Sequence, residues 1–469
     1  MLFNTFGFWI IFPFIFFFYW IIPSRFNLVK KMFLIFVSYL LYMNYNVAYA
    51  LVLLYVTIIT YKGGLYIEKV SDKRKLFITI GAFLTLGPLL IFKYYNFLIG
   101  SGNALLEYIG LRFSLPGLNW AIPLGISFFT FQAIGYLWDV YYRRMSAEKS
   151  FIDYMLFISF FPQIASGPIS KASELLPQIK NTRPFDYSQA VEGLKLLLWG
   201  MFFKVVVADR LGLYVDTVYK DYEHYSGLTC LVASLFYSIQ IYGDFAGYSW
   251  MAIGIARILG FDLINNFKRP YFSTSVTDFW RRWHISLSRW LKDYVYIPLG
   301  GSRCSKLRNY WNILITFLVS GIWHGANWTF IVWGVLHGVF QIIEKALGLQ
   351  KCTGSNRMVR AARILLTFLL INFAWIFFRM PDLQDACKVT IKIFTDFSGN
   401  FYMSTKTNLL LYVIGILILS LKDTKDEFFR EKTSSPYMKS VKWIAYMVLF
   451  TMIVGVGVLD SGQFIYANF

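Results

Sequence analysis

The sequence predicts an all-α polytopic membrane protein. Of its 469 residues, 57% are hydrophobic and 20% aromatic, whereas only 15% are charged, which is too apolar for a water-soluble protein of ordinary composition. Apolar runs long enough to cross about 30 Å of hydrocarbon recur along the whole chain. No hydrophilic block is long enough to fold separately. We therefore expect one membrane domain, residues 1–469, with ten to twelve transmembrane or re-entrant helices.

Residues 1–22 form the first predicted span. No basic residue precedes this apolar run and no small-residue cleavage site follows it, which argues against a signal peptide. Basic residues favour the cytoplasm, and three follow the span directly: Arg25, Lys30 and Lys31. The N-terminus is therefore expected outside. A second basic cluster at 62–75 is then cytoplasmic, which requires two short arms within 32–61 that turn near Asn44, Tyr45 and Asn46.

The remaining chain supplies the other predicted spans. A motif-bearing core is expected at about 120–345, followed by C-terminal spans at about 361–459. The individual spans are predicted at 76–99, 118–138, 151–167, 190–218, 228–259, twice within 310–347, and at 361–378, 407–421 and 441–459.

The net charge of +19 fits a membrane topology better than nucleic-acid binding. Basic residues in short loops set orientation and meet anionic headgroups, so we expect membrane lipids as partners and no nucleic acid. The cysteines are scattered and lack C-x-x-C spacing, so we expect neither a disulfide framework nor a metal site. These are Cys230, Cys304, Cys352 and Cys387.

The connection 275–301 is predicted to be an amphipathic helix that lies at the membrane interface or dips into the domain. At 100° per residue, one face collects large apolar side chains: Phe279, Trp280, Trp283, Leu287, Trp290, Leu291 and Tyr294. Ser275 and Asp278 resemble a capping box, and Pro298 ends the pattern. His284 lies on the boundary between the two faces, where it is expected to look into a partly polar cavity.

His324 is the strongest candidate for chemistry. Apolar sequence surrounds it on both sides, and an ionisable group at membrane depth is costly and usually functional. The alternative is a structural histidine bonded to a backbone carbonyl. Gly321 and Gly325 flank it, and their lack of bulk would let a ligand or another helix approach the imidazole.

The other ionisable candidates are weaker. His337 lies between Gly334 and Gly338, a small-xxx-small pattern that favours helix packing. His224 stands beside Glu223 in a polar stretch and is interpreted as a loop residue. Asp244 is the main intramembrane acid. Three roles are open to it: binding a substrate hydroxyl, orienting a histidine or capping a broken helix. The last, structural role is slightly favoured.

No enzyme nucleophile is evident in the sequence. There is no G-x-S-x-G, no thiol paired with a histidine and no H-E-x-x-H helix. A buried neutral imidazole without a nucleophile suits direct transfer, in which His324 takes the proton of a hydroxyl that attacks an activated acyl group.

The quoted motifs together resemble the membrane-bound O-acyltransferase family, in its bacterial alginate O-acetylation branch. They span nearly the whole chain: MLFN at 1–4, FPQIASGPI at 161–169, GDFAGYS at 243–249, NF at 266–267, PY at 270–271, DFWRRWH at 278–284, YIPLGG at 296–301, GIWHGA at 321–326 and FFR at 377–379.

The resemblance implies a ring of helices around a thinned centre, with a tunnel that leads donor and acceptor to a histidine from opposite faces. It implies that His324 is the catalytic histidine and His284 the second motif position. Four further residues are predicted to contact substrate: Asp244, Trp323, Asn327 and Gln163. Trp250, where an aspartate is expected in alginate-type members, and Ser302, in place of asparagine, depart from the branch; Trp250 weakens the assignment to alginate itself.

The predicted function is a bacterial inner-membrane O-acyltransferase that moves an acetyl group toward a cell-surface polysaccharide, directly or through an exported or membrane-anchored acetyltransferase partner. The donor is expected to be acetyl-CoA or an acyl-carrier thioester, with no bound cofactor. Peptidoglycan O-acetylation and D-alanyl transfer to teichoic acid are the alternatives within the class, although the spans after residue 380 argue against the latter. A proton-coupled transporter or flippase, or a non-catalytic export scaffold, are the alternatives outside it.

Overall fold

The protein is predominantly helical in its computed structural model, which describes residues 3–44, 46–70, 72–111, 114–181, 183–351, 356–429, 436–459 and 465. Within these ranges no β-strand is present beyond an isolated bridge between Tyr225 and Asn400. Met1 and Leu2 of the first motif, Tyr45 of the predicted turn and Cys352 lie outside the described residues.

Six helices in the described part of the chain are long and apolar enough to cross a membrane: Ser24–Met43, Val47–Lys69, Arg74–Tyr108, Gly227–Ile258, Arg357–Arg379 and Lys406–Phe428. Phe6–Ile21 and Lys442–Val456 are shorter apolar helices. The predicted all-α membrane fold is confirmed. The ring, the tunnel and the total of ten to twelve stay predictions.

The chain divides into two compact units, the first within 1–194 and 252–264 and the second within 195–251 and 265–465. A single domain over 1–469 stays a prediction. The first unit holds α1 Phe6–Ile21, α2 Asn27–Met43, α3 Val47–Lys69, α4 Arg74–Leu89, α5 Tyr95–Tyr108, α6 Ile126–Tyr141, α7 Phe151–Ser159, α8 Phe161–Ile164 and α9 Ala172–Lys180.

The predicted turn between α2 and α3 is confirmed. Asn46 caps α3 by accepting a hydrogen bond from the backbone N–H of Ala48 at 2.8 Å, as expected for a side-chain amide at an N-cap. The two arms are longer than predicted, with 17 residues in α2 and 23 in α3. Both helices extend into the neighbouring basic segments. A lysine can lie in the helix there because its long apolar stem carries the charge away from the hydrocarbon.

Two predicted spans of the first unit are wrong in their bounds. The helix expected at 118–138 begins only at Ile126, because Gly125 adopts a left-handed conformation, with φ of +72°. A side chain at this glycine would also collide with the carbonyl oxygen of Ile164. The span expected at 151–167 is interrupted at Phe160, where the backbone leaves the helical region with ψ of 106°, and a new helix begins with Pro162 in its first turn.

The remaining helices are α10 Tyr187–Met201, α11 Asp209–Lys220, α12 Gly227–Ile258, α13 Val276–Arg282, α14 Ile285–Leu291, α15 Lys306–His324, α16 Trp328–Ala346, α17 Arg357–Arg379, α18 Leu383–Thr395, α19 Lys406–Phe428 and α20 Pro436–Val456. Both α10 and α12 run from one unit into the other. A π-helical segment, Phe202–Ala208, joins α10 to α11, so the predicted span at 190–218 is one continuous helical stretch.

The single amphipathic helix predicted at 275–301 is wrong. The segment forms α13 and α14, which are separated at Trp283 and His284, because His284 has a left-handed backbone with φ of +42°. The predicted cap is confirmed, since Ser275 Oγ accepts the N–H of Asp278 at 2.9 Å. All seven residues of the predicted apolar face are buried. Burial of this face therefore survives the break in the helix.

Helices α15 and α16 form a tightly packed hairpin in the second unit. Gly321 lies against the carbonyl oxygen of Phe330, and Gly334 lies against that of Phe317, so a methyl group at either position would collide with backbone. Gly338 faces Leu314, where an added methyl would lie 3.1 Å from Cδ1. Small residues let two backbones approach closely, and here they fix the helix that ends at His324.

Candidate active site

His324 is the last residue of α15 and is 2% exposed. Three aromatic rings surround it in edge-on arrangements, with centroid distances of 4.9 Å to Trp323, 4.8 Å to Trp333 and 5.2 Å to Phe378. The carbonyl groups at the end of a helix favour a positive charge. The imidazolium that forms when His324 accepts a proton is therefore stabilised by its place on α15.

The glycines beside His324 serve helix packing in this structure. Gly321 contacts the backbone of α16, and a side chain at Gly325 would overlap the ring of Phe330. Of the two approaches that the sequence leaves open, a helix rather than a ligand occupies the space. Phe330 in turn contacts Phe378, with ring centroids 4.9 Å apart. Phe378 is one of the rings around His324, so Phe330 also supports this aromatic enclosure.

His284 is fully buried at the break between α13 and α14. Its Nδ1 lies 3.3 Å from Oδ1 of Asn266, and the same oxygen accepts hydrogen bonds from Ser286 N at 3.1 Å and Ser286 Oγ at 2.8 Å. The backbone N–H is a donor only, which identifies the Asn266 atom as oxygen. His284 Nδ1 must therefore donate, and the lone pair of its neutral ring lies on Nε2.

The partly polar cavity expected beside His284 stays a prediction. The left-handed backbone turns the imidazole inward against Phe245 on α12, at a centroid distance of 4.6 Å. A non-glycine residue in this conformation is strained, and such strain persists where surrounding structure imposes it. Asn266, which also accepts the N–H of Ile285 through its backbone oxygen at 2.9 Å, imposes it here.

Trp323 joins the two histidines. Its ring centroid is 4.9 Å from His324 and 5.8 Å from His284, and it is 4% exposed. The sequence predicts Trp323 as a substrate contact; the structure places it between both catalytic candidates. Its contact with substrate stays a prediction.

His337 extends the aromatic cluster away from the site. The indole N–H of Trp280 donates to His337 Nδ1 at 3.2 Å, so the neutral ring carries its proton on Nε2, the opposite tautomer to His284. The ring of Trp333 separates His337 from His324, at 4.7 Å and 4.8 Å. The packing interpretation is consistent with this geometry, although the hydrogen bond joins α16 to α13 and not to α15.

Asp244 forms part of a buried ion-pair cluster. Lys204 Nζ lies 2.5 Å from Asp244 and 2.6 Å from Asp209, and all three side chains are nearly inaccessible. The backbone N–H of Ile465 donates to the second oxygen of Asp244 at 2.9 Å. Both carboxylate oxygens thus have protein partners, which favours a structural role. Substrate binding by Asp244 stays a prediction.

Asn327 and Gln163 also engage protein groups. Asn327 caps α16 through Thr329 N at 3.0 Å and donates to the carbonyl oxygen of Pro381 at 2.5 Å. Gln163 belongs to the first unit, where its Nε2 donates to the carbonyl oxygen of Phe157 at 2.9 Å. Their predicted substrate contacts stay predictions. His224 is exposed and pairs with Asp221 at 2.5 Å, in agreement with the loop interpretation.

Three residues of this site were missed as functional candidates. Asn266 orients His284, Trp333 covers His324 and Lys204 neutralises Asp244. Lys204 could have been identified from the sequence, because a lysine inside an apolar run is costly unless acids surround it. Asn266 and Trp333 had none, since an asparagine and a tryptophan acquire these roles only through contacts distant in sequence.

Comparison with known proteins gives a consistent set of relatives. The model of the membrane-bound O-acyltransferase family matches residues 140–380. The probable alginate O-acetylase of Pseudomonas aeruginosa is 36% identical over 395 residues, which cover 83% of this chain and 75% of that protein. The peptidoglycan O-acetyltransferase of Helicobacter pylori is 37% identical over 390 residues, covering 77% and 73%.

A more distant relative carries the name of a different transfer reaction. The teichoic acid D-alanyltransferase of Bacillus subtilis is 28% identical over 276 residues, which cover 56% of this chain and 70% of that protein. Both His284 and His324, and the rings that surround them, lie within the segment that matches the family model.

Proposed function

Because this chain belongs to the membrane-bound O-acyltransferase family and is an O-acyltransferase of the membrane, we propose that it moves an acetyl group from a thioester to a hydroxyl of a cell-surface polysaccharide. The observation that carries the proposal is the enclosure of His324 at the end of α15, next to His284 across Trp323. The names of the alginate and peptidoglycan relatives support acetyl as the transferred group.

His324 acts as the general base in this proposal. Its imidazole takes the proton of the acceptor hydroxyl while that oxygen attacks the thioester carbonyl, so that an oxygen–carbon bond forms. The carbon–sulfur bond then breaks, and the imidazolium returns the proton to the leaving thiolate. The aromatic enclosure excludes water, which would otherwise compete with the acceptor for the acyl group.

His284 orients the acceptor. The lone pair on its Nε2 accepts a hydrogen bond from a second hydroxyl, which a sugar carries beside the reacting one. Trp323 provides an apolar face between the two imidazoles, against which the C–H groups of a sugar ring pack. Asp244, Asn327 and Gln163 enter the proposal only as candidate outer contacts, because protein groups already engage each of them.

Replacing Asn266 with alanine tests the orientation of His284. The change removes the acceptor for His284 Nδ1, so the ring is free to place its proton on Nε2. We expect kcat to fall on the order of 10²-fold, which is the cost of misplacing a reacting group by about 1 Å, while KM changes little. Asn266→Asp, which keeps the acceptor oxygen, should restore most of the rate. Equal kinetics in the wild type and the alanine variant would contradict the assigned role.

The donor, location and partner are part of the proposal. Acetyl-CoA or an acyl-carrier thioester supplies the acetyl group from the cytoplasm across the bacterial inner membrane, with the N-terminus outside. Basic residues after α1 support this orientation. The acetyl group reaches the polymer directly or through an exported or membrane-anchored acetyltransferase.

Peptidoglycan is the second candidate acceptor, because its named relative is as similar to this chain as the alginate relatives are. Mass spectrometry of surface polymers, from cells with and without the gene, should show loss of O-acetyl groups from one polymer only. Loss from an extracellular polysaccharide supports the proposal, and loss from peptidoglycan alone selects the second candidate. Unchanged acetylation of all polymers contradicts both.

A further inference from the structure

A cavity of about 870 Å³ opens in the second unit of the chain. Residues of α10, α12, α19, α20 and the connection 265–269 line it. Its volume falls in the range of about 300–1,000 Å³ that is usual for ligand sites. Neither His284 nor His324 lines the cavity, and the closest approach along the chain is Ile285.

The polar side of the cavity is strongly basic. Five basic residues line it against two acids, Asp423 and Asp426: Lys268, Arg269, Lys422, Lys425 and Lys442. Lys422 pairs with Asp426 at 2.7 Å, and Arg269 pairs with Glu427, outside the lining, at 2.8 Å. The exposed Lys268 makes no side-chain ion pair among the described residues. The excess positive charge fits a phosphate group.

Asp423 adds a second feature to the same wall. It is 4% exposed, and one carboxylate oxygen accepts the hydroxyl hydrogen of Tyr242 at 2.8 Å. The other oxygen is buried and has no hydrogen-bond partner in the described part of the chain. A buried acceptor without a partner is costly, so a turn of the Asp423 carboxylate toward the cavity that it lines, where a ligand hydroxyl can donate to it, removes that cost.

Apolar and aromatic side chains also line the cavity. Trp199 and Trp250 hold the ammonium of Lys422 over their rings, at 5.3 Å and 4.6 Å from the centroids, an attractive arrangement for a cation. Leu421 on α19 is 67% exposed and also lines the cavity. An amphipathic occupant, charged at one end and apolar at the other, matches this mixed lining. Trp250, which departs from the alginate pattern, is part of the lining.

We propose that this cavity binds an anionic glycerophospholipid whose headgroup carries hydroxyls, such as phosphatidylglycerol. The phosphate lies among Lys268, Lys425 and Lys442, the headgroup hydroxyls donate to Asp423, and the first carbons of the acyl chains lie along Leu421. Basic pockets between membrane helices bind anionic headgroups in this way. The basic residues also assign this end of α19 to the cytoplasmic leaflet.

Lipid titration of the purified full-length protein, read out by native mass spectrometry, tests the charge requirement. Phosphatidylglycerol should bind at least tenfold more tightly than phosphatidylcholine. Lys268→Gln with Lys442→Gln should weaken phosphatidylglycerol binding by about thirty-fold, because each lysine near a headgroup contributes about 1 kcal/mol. Lys220→Gln with Lys388→Gln removes two lysines elsewhere in the second unit and should leave the affinity unchanged.

Phosphatidylmethanol, which has the same charge but no headgroup hydroxyl, tests Asp423. The wild type should prefer phosphatidylglycerol, and Asp423→Leu, which removes every hydrogen-bonding atom of this side chain, should bind both lipids equally. Equal binding of phosphatidylglycerol and phosphatidylcholine by the wild type would overturn the proposal, as would an equal loss in the control pair. Displacement of the lipid by coenzyme A, abolished by Lys268→Gln with Lys442→Gln, would assign the cavity to the donor instead.

Discussion

Replacing His324 with alanine is expected to abolish acyl transfer while the protein still folds and inserts. His324 is the only histidine in the described residues that combines a helix C-terminus with enclosure by three aromatic rings. Loss of a general base costs about 10²–10⁴-fold in rate, so transfer from a labelled thioester should fall at least a hundredfold. The measurement is product formation by purified protein at matched concentration.

His224→Ala is the matched control, because His224 is an exposed loop residue paired only with Asp221. This variant should retain the wild-type rate. His324→Gln, which nearly preserves the volume of the side chain, separates lost chemistry from a packing defect. Full transfer by a folded His324→Gln variant would refute the proposed mechanism. Solute movement by the protein without any thioester would instead favour the transporter interpretation.

Replacing Lys204 with methionine is expected to destabilise the protein by about 3–5 kcal/mol, because removing one partner of a buried ion pair leaves uncompensated charge. Lys204 is the cation between Asp209 and Asp244, and all three side chains are within 4% of complete burial. Thermal unfolding in detergent, followed by tryptophan fluorescence, measures the loss. The midpoint should fall well below that of the wild type.

Adding Asp209→Asn and Asp244→Asn to Lys204→Met should recover most of this stability, since the neutral amides leave no buried charge without a counter-ion. Lys220→Met, at the exposed end of α11, should change the midpoint little. Activity of the stable triple variant also tests Asp244. Retained transfer assigns Asp244 to structure, whereas loss of transfer with an intact fold assigns it to substrate binding. An unchanged midpoint for Lys204→Met alone would contradict the ion-pair argument.

The helical elements follow closely from the sequence. The long helix Gly227–Ile258 and the division of 310–347 into two helices were predicted, because apolar length and glycine spacing are local signals. The apolar face of 275–294 was also predicted. The break at His284 was not, since a positive φ at a non-glycine residue is imposed by partners and has no local sequence signal.

The site divides in the same way. The sequence identifies His324 because an ionisable residue within an apolar run stands out in the sequence itself. The family resemblance adds His284. The sequence does not show that Trp323 contacts both imidazoles, or that Asn266 sets the tautomer of His284. The contact of Trp323 with His284 joins residues 39 positions apart, and that of Asn266 with His284 joins residues 18 positions apart.

By itself, the sequence determined that this chain is helical, belongs in a membrane and carries a histidine whose burial demands a role. Those conclusions depend on hydrophobicity and charge, which act residue by residue. Tertiary structure decided which side chains surround that histidine, which nitrogen of His284 carries the lone pair, and that Lys204 neutralises Asp244. Hydrogen bonds and ion pairs need atoms within about 3–4 Å, and only the packed helices bring these distant residues so close.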